Sequence, residues 1–380
     1  MTDVGVAGAG MTAFESESDA GALELAERAA WRALDDAGDV APGDVTSVHV
    51  GNMAAEAFDE RTGLENALCG ALGVDGATAD RIENTSASGA SAVLRAVDAV
   101  RAGRSSVALV VGVETMSAVD TDDATELISR LVHDREYEQG LTLPSFAGLA
   151  ADRYLETTGA DEDALAAVAV KNHRNGAANP YAQFQREITA EEARSSPAVA
   201  DPLRLYDCCP TSDGAAAIVL RAGGDDDVEL AGVAGATGTH AVAERPDPLA
   251  IESVSRAGDR AFADTGLERE AVDVACIHDA FTVLELLELE ELGFYDGGRA
   301  WEATLEGETA LDGDLPVNPG GGLKARGHPL GATGVAQLVE LTWQLRGDAD
   351  ARQVAGPETG LALNVGGFGN NAICTLLEAR

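Results

Sequence analysis

Residues 318–337 of this sequence carry the residue types of an active-site loop. They read NPGGGLKARGHPLGATGVAQ, with six glycines in twenty residues and a single histidine, His328. Glycine lets a backbone reach φ > 0 and approach a ligand closely. A histidine set just before a helix start is well placed as a general base. The helical pattern begins only after it, with Val335, Leu338, Leu341 and Leu345 on one face. The same residues would also suit a buried turn with a hydrogen-bonded core histidine, so the rest of the chain has to decide.

The elements that would position this loop are legible along the chain. Apolar runs predict strands over 4–8, 45–51, 79–83, 106–113, 215–221, 228–233, 272–277, 361–365 and 372–377. Helical spacing predicts helices over 20–36, 63–72, 86–102, 251–265 and 280–292. The continuous apolar run SVALVVGV at 106–113 is the signature of a buried parallel sheet. Residues 116–202 are richer in charge, with a loop expected at 142–147, and read as an inserted cap. The pattern then starts again. SASGASAVLRAV followed by SVALVVGV in the first half mirrors GHPLGATGVAQLVEL followed by LALNVGG in the second. This predicts an α/β fold built from two duplicated βαβαβαββ halves, 1–225 and 226–380, layered with a site between them.

Composition narrows the function. Sixty-five acidic residues face 26 lysines and arginines, a net charge of −39, and only Lys171 and Lys324 are lysines. No basic stripe exists to neutralise phosphates, so nucleic acid is not an expected partner. The surplus acid is spread along the chain and resembles the composition of halophilic archaeal proteins, whose self-repulsion salt would screen. No apolar run approaches the roughly 18 residues of a membrane span. The start, MTDVGVAGAG, lacks a basic n-region, so a cytoplasmic protein with reduced thiols is expected. The five cysteines show no zinc-type spacing.

Four stretches could converge on one site: ENTSASGAS (83–91), HDAF (278–281), GHPLGATG (327–334) and NVGGFG (364–369). Together they resemble the thiolase superfamily over the whole chain. DCCPTSDGAAAIVL (207–220), KNHRNGAANP (171–180) and the histidine-led HDAF resemble its archaeal and sterol-carrier-protein branches. The resemblance implies a thiolase fold, layered α-β-α-β-α, and an acyl-CoA C-acyltransferase with CoA thioesters as substrates and no metal or redox cofactor. It also implies a homo-oligomer, dimer or tetramer, and a small OB-fold partner subunit. The chain departs from the family where the nucleophilic cysteine should stand: that position is Ser86. Both usual places of the second cysteine are also changed, to Asn364 and Ala280.

By carry-over, Ser86 would be the nucleophile and His328 would take its proton, as histidine does for serine in hydrolases. His278 would polarise the thioester oxygen of the second substrate or assist proton transfer. The N–H groups of Ser86 and Gly366 would form an oxyanion hole, with Asn364 in the same loop. Gly331, Ala332 and Phe281 are expected at the substrate. This Ser-His-His set resembles haloarchaeal-type β-ketothiolases. The alternatives are a non-catalytic acyl-CoA-binding or scaffold subunit, and a decarboxylating ketoacyl synthase. No cysteine is expected near Ser86: Cys69 lies on an earlier helix, and Cys208, Cys209 and Cys276 read as structural. His173 reads as a surface or loop-bracing residue. Lys324 would brace the loop or meet a CoA phosphate, and Arg130, Arg135 and Arg174 are further phosphate candidates. Asp213 and Asp279 read as turn supports.

Overall fold

A computed structural model describes residues 3–224 and 227–380. The first half runs β1 (Val4–Met11), α1 (Ala22–Ala37), β2 (Ser47–Gly51), α2 (Ala55–Phe58), α3 (Leu64–Leu72), β3 (Thr78–Ile82), α4 (Ser88–Arg101) and β4 (Val107–Thr115). An insertion follows: α5 (Thr121–Ser129), α6 (Asp134–Tyr137), α7 (Leu143–Thr158), α8 (Glu162–Ala177), α9 (Ala190–Ser195) and a small hairpin, β5 (Ala198–Ala200) and β6 (Leu203–Arg204). Strand β7 (Asp213–Ala222) closes the half. The second half runs β8 (Val228–Thr237), α10 (Glu252–Thr265), β9 (Val274–Cys276), α11 (Thr282–Glu291), α12 (Ala300–Glu306), α13 (Leu330–Arg346), β10 (Thr359–Gly366) and β11 (Asn371–Glu378). The expected boundary between halves, after residue 225, lies outside the described residues.

The duplication is explicit in the pairing. In the first half β2 is parallel to β3 and β4, and β7 is antiparallel to β4 and β1. In the second, β9 is parallel to β10, and β11 is antiparallel to β10 and β8. A short antiparallel contact between β1 and β8, Gly5 to Glu229 and Val6 to Val228, joins the halves in one nine-stranded sheet. Alternate residues along each strand face opposite sides. Ala108 and Val110 point inward with α4 and α13, while Leu109 and Val111 point outward onto α1. Leu361, Leu363 and Val365 of β10 likewise pack outward with α10. The layers are therefore α1, first-half strands, the α4–α13 pair, second-half strands and α10.

The central layer sets the geometry of the site, because α4 and α13 each begin at a candidate catalytic loop. They approach closely through glycines. A Cβ on Gly331, in the first turn of α13, would sit 2.6 Å from both the Gly51 and Val113 carbonyl oxygens. Backbone cannot give way as a flexible side chain can, so overpacking is the cost. Gly331→Ala is expected to lose about 3 kcal/mol of stability, read as a lowered denaturation midpoint at constant salt.

The insertion differs from expectation at 142–147. That stretch starts α7: the Thr142 hydroxyl accepts from the Ser145 N–H, and Pro144 sits in the first turn where its missing N–H costs nothing. Among the described residues no helix is long and apolar enough to cross a membrane.

Candidate active site

Ser86 lies in the tight turn between β3 and α4. Thr85 takes the left-handed conformation at φ 52°, uncommon for a residue with a branched side chain. The turn is held by Ala87 N–H to the Asn84 carbonyl at 3.0 Å and by the Ser88 hydroxyl donating to the Thr85 carbonyl at 2.6 Å. Ser86 thus stands just ahead of the N-terminus of α4, where the helix dipole favours negative charge.

His328 lies before α13. Its backbone N–H donates to Ser212 Oγ at 2.9 Å, and Ser212 in turn donates to Gln183 Oε1 at 2.6 Å. The imidazole Nδ1 meets Thr333 Oγ1 at 2.7 Å. That hydroxyl has one proton, which it donates to the Pro329 carbonyl at 3.0 Å. It must therefore accept from His328, so Nδ1 carries the hydrogen and Nε2 keeps a free lone pair. Burial, then the Arg326 guanidinium, pushes this imidazole down to about 3, so it is neutral at physiological pH.

His278, after β9, has the opposite tautomer. Asn364 Nδ2 donates to its Nδ1 at 3.0 Å, which leaves the hydrogen on Nε2. Its backbone N–H donates to Glu288 Oε2 at 3.0 Å. Burial, then the neighbouring His328 and Arg326, holds it well below the ordinary histidine range. The two rings meet edge to face with centroids 5.1 Å apart. One imidazole is a ready base and the other a ready donor.

A buried polar frame fixes both loops. Asp279 accepts from the Leu323 and Lys324 N–H groups at 2.7 and 3.2 Å and from Asn172 Nδ2 at 2.8 Å. This pins the single π-helical turn Gly322–Arg326 beside His278. A Cβ on Gly322 would fall 2.3 Å from the Asp279 carboxylate, so only glycine fits there. Burial, with Glu285 nearby, raises Asp279 to about 7. Glu285 pairs with Lys171 Nζ at 2.6 Å and accepts from Asn318 Nδ2 at 2.8 Å. Glu114, raised to about 7 by burial, accepts from Met53, Ala54 and Gly331 N–H and ties the ends of β2 and β4 to the start of α13.

Ser86, His278, His328 and Phe281 line one cavity between the halves, with apolar walls from Met116, Ile128, Leu143, Leu284 and Phe368. Ile128 and Leu143 come from the insertion, which forms one side of the cavity. Several expected positions fall elsewhere. Gly331 and Ala332 face the packed α4–sheet contact, and Leu330 takes the place on the wall. Asn364 sits behind His278. Gly366 packs on Thr85, and the next two residues, Gly367 and Phe368, reach the cavity.

The cysteine expectation is also corrected. Cys208 and Cys209 line the same cavity as Ser86, because Cys208 pairs with Phe281 across an antiparallel bridge. Their only local sign is a Cys-Cys pair before Pro210. Thr333 and Ser212, which fix His328, carry no local sign at all. His173 is buried at 1% exposure, not on the surface, and braces the Arg186 carbonyl at 3.3 Å. Lys324 is a brace: its Nζ donates to the Cys208 carbonyl at 2.6 Å. Asp213 supports its turn by accepting from the Ser18 and Ser117 N–H groups at 2.9 Å. Arg130 and Arg135 are exposed and paired with Glu126 and Glu244.

Comparison with known proteins bears on this arrangement. Residues 4–223 match the thiolase N-terminal domain, and residues 234–379 match the thiolase C-terminal domain-like family. The acetyl-CoA acetyltransferase of Methanothermobacter thermautotrophicus is 40% identical over 98% of each chain. Sterol carrier protein 2 of Gallus gallus is 32% identical, covering 98% of this chain and 71% of the relative. The solved Ltp2-ChsH2(DUF35) aldolase superposes with a TM-score of 0.86 at 25% identity, covering 100% of this chain and 98% of that one. With both family domains matched and full-length relatives at this identity, the chain belongs to the thiolase family and is an acyltransferase.

Proposed function

We propose that this chain is an acetyl-CoA C-acyltransferase, a β-ketothiolase for short acyl chains, with Ser86 as its nucleophile. The observation that carries this reading is that His328 and His278, whose hydrogen-bond partners assign them opposite tautomers, share a cavity with Ser86. His328 Nε2 takes the Ser86 proton as Oγ attacks the thioester carbonyl. The helix N-terminus and nearby backbone N–H groups face the charge that develops there. His278 Nε2–H donates to the thioester oxygen of the second acyl-CoA and stabilises its enolate, which attacks the acyl-serine carbonyl. A scaffold subunit would have no use for two imidazoles held neutral in opposite tautomers.

The test is intact-protein mass in high salt after incubation with acetyl-CoA, for wild type and Ser86→Ala. An acetyl adduct on wild type, absent from the variant, is the expected result. A folded wild type with no adduct and no turnover counts against it. An acyl-serine is an oxygen ester, so return of its acyl group to CoA is uphill. Ser86→Cys is therefore expected to raise the ratio of kcat for thiolysis to kcat for condensation, each at saturating substrate, by at least about tenfold, equivalent to 1.4 kcal/mol of barrier. An unchanged ratio of steady-state rates would sink that account.

The net charge of −39 favours a high-salt setting. The thermal midpoint is expected to climb with KCl as the screening length falls from about 10 Å at 0.1 M to 3 Å at 1 M. A homo-oligomer with a small partner subunit is the assembly we favour; the likeness to the solved Ltp2-ChsH2(DUF35) aldolase supports the partner subunit. Purification from the host, with activity measured before and after removal of co-purifying chains, tests that.

A further inference from the structure

Carbon–carbon bond formation needs a group that removes a proton from Cα of the second acyl-CoA, and cleavage needs the same group to return it. We propose that Cys209 is that group, a catalytic acid and base; this rests on the roles given above to Ser86, His278 and His328. The cavity itself narrows the choice. Ser86 carries the acyl group, and His328 Nε2 serves Ser86. As hydrogen-bonded here, His278 is not the acceptor of a proton from carbon: Nδ1 accepts from Asn364 Nδ2 and Nε2 bears the hydrogen. Cys208 is engaged, its thiol donating to the Arg204 carbonyl at 3.5 Å. Among the described residues, Cys209 is the remaining titratable group on the wall.

Its position suits the role. The Cys209 N–H donates to the Ala280 carbonyl at 2.9 Å, next to the Cys208–Phe281 bridge. Residues opposed across such a bridge carry their Cβ atoms about 5 Å apart. The thiol therefore stands beside Ala280, two residues from His278. Burial raises this thiol to about 12, so sulfur keeps its proton at rest and is a loaded acid for a carbanion.

In cleavage, Ser86 Oγ bonds to the keto carbon and its proton goes to His328 Nε2. The Cα–carbonyl bond breaks, its electron pair forms the enolate, and the Cys209 thiol protonates Cα, leaving a thiolate. CoA thiol then gives its proton to that thiolate and attacks the acyl-serine. Ser86 leaves with the proton held by His328. Condensation is the reverse, with the Cys209 thiolate taking the Cα proton. Acyl exchange between acetyl-CoA and free CoA needs only Ser86 and His328, because the proton of CoA can pass to His328.

Cys209→Ala separates the two halves. Acetoacetyl-CoA formation and thiolysis are expected to fall by about 10²- to 10⁴-fold, the usual share of a general acid–base. The Ser86 acetyl adduct and the exchange of labelled CoA into acetyl-CoA should stay within about threefold of wild type. That exchange also reports folding. If the alanine variant does not fold, Cys209→Ser carries the same readouts, since a hydroxyl is a far weaker acid than a thiol and should fail equally in carbon–carbon chemistry. Condensation within about threefold of wild type in a folded variant overturns the role of Cys209 while leaving that of Ser86 intact. The role of Cys209 is overturned in the same way if Cys208→Ala, and not Cys209→Ala, loses condensation alone. Absence of adduct and exchange in wild type overturns the Ser86 reading first, and this proposal with it.

Discussion

Replacing His328 with alanine is expected to lower both acyl exchange and condensation by about 10³-fold or more, toward the upper end of what a general base supplies. Serine hydroxyl is a weak nucleophile until a base takes its proton, and His328 Nε2 is the lone pair left free by the Thr333 hydrogen bond. Because burial holds this imidazole near 3, it stays unprotonated, with Nε2 open to a proton, across the whole physiological range. The decisive measurement is a double-mutant cycle. Ser86→Ala alone should be as damaging as His328→Ala, and the double variant no worse than either, because nucleophile and base act as one unit. Multiplicative losses would mean that His328 acts on something other than Ser86. A companion, Thr333→Val, removes the tautomer lock but keeps the imidazole, so it should lose less than His328→Ala.

Asn364→Asp is expected to convert a flat activity profile into one lost at alkaline pH. In the wild type the Asn364 amide donates Nδ2–H to Nδ1, so neutral His278 presents Nε2–H to the substrate oxygen. A carboxylate in its place can only accept. At low pH it stabilises an imidazolium, which still offers Nε2–H, so activity survives. A neighbouring negative charge raises the histidine from its depressed value. As pH rises through the new value the ring loses a proton. The remaining hydrogen stays on Nδ1 against the carboxylate, and Nε2 now points a lone pair at the substrate oxygen. Loss of one such donor costs about 10²- to 10³-fold in kcat. Condensation measured from pH 5 to 9 checks this. A variant as active at pH 9 as at pH 6, relative to wild type, would show that Asn364 does not set the tautomer.

Both predictions turn on features that no local pattern displays. The apolar runs around 106–113 and 361–365 and the helical face after Leu330 were legible, because strand and helix patterns are written in adjacent residues. So was the repeated turn–helix–strand order, and with it the pairing of Ser86 in one half with His328 in the other. Net charge and the thiolase-like motifs are likewise properties of the string. The start of α7 at Leu143 was not, because its cap and proline read equally well as loop chemistry. Gly331 and Ala332 were placed at the substrate by motif, yet packing of α13 on β2 and β4 takes them.

Which nitrogen of each imidazole holds hydrogen depends on what faces the other nitrogen, and for His278 that is a residue 86 positions away. Cys209 enters the cavity only because a bridge brings residues 208 and 281 together. The order of residues along the chain dictates which chemical groups are available and which elements carry them. Their protonation and their neighbours are settled only by folding, because hydrogen bonds and burial act through space between residues that the chain keeps far apart.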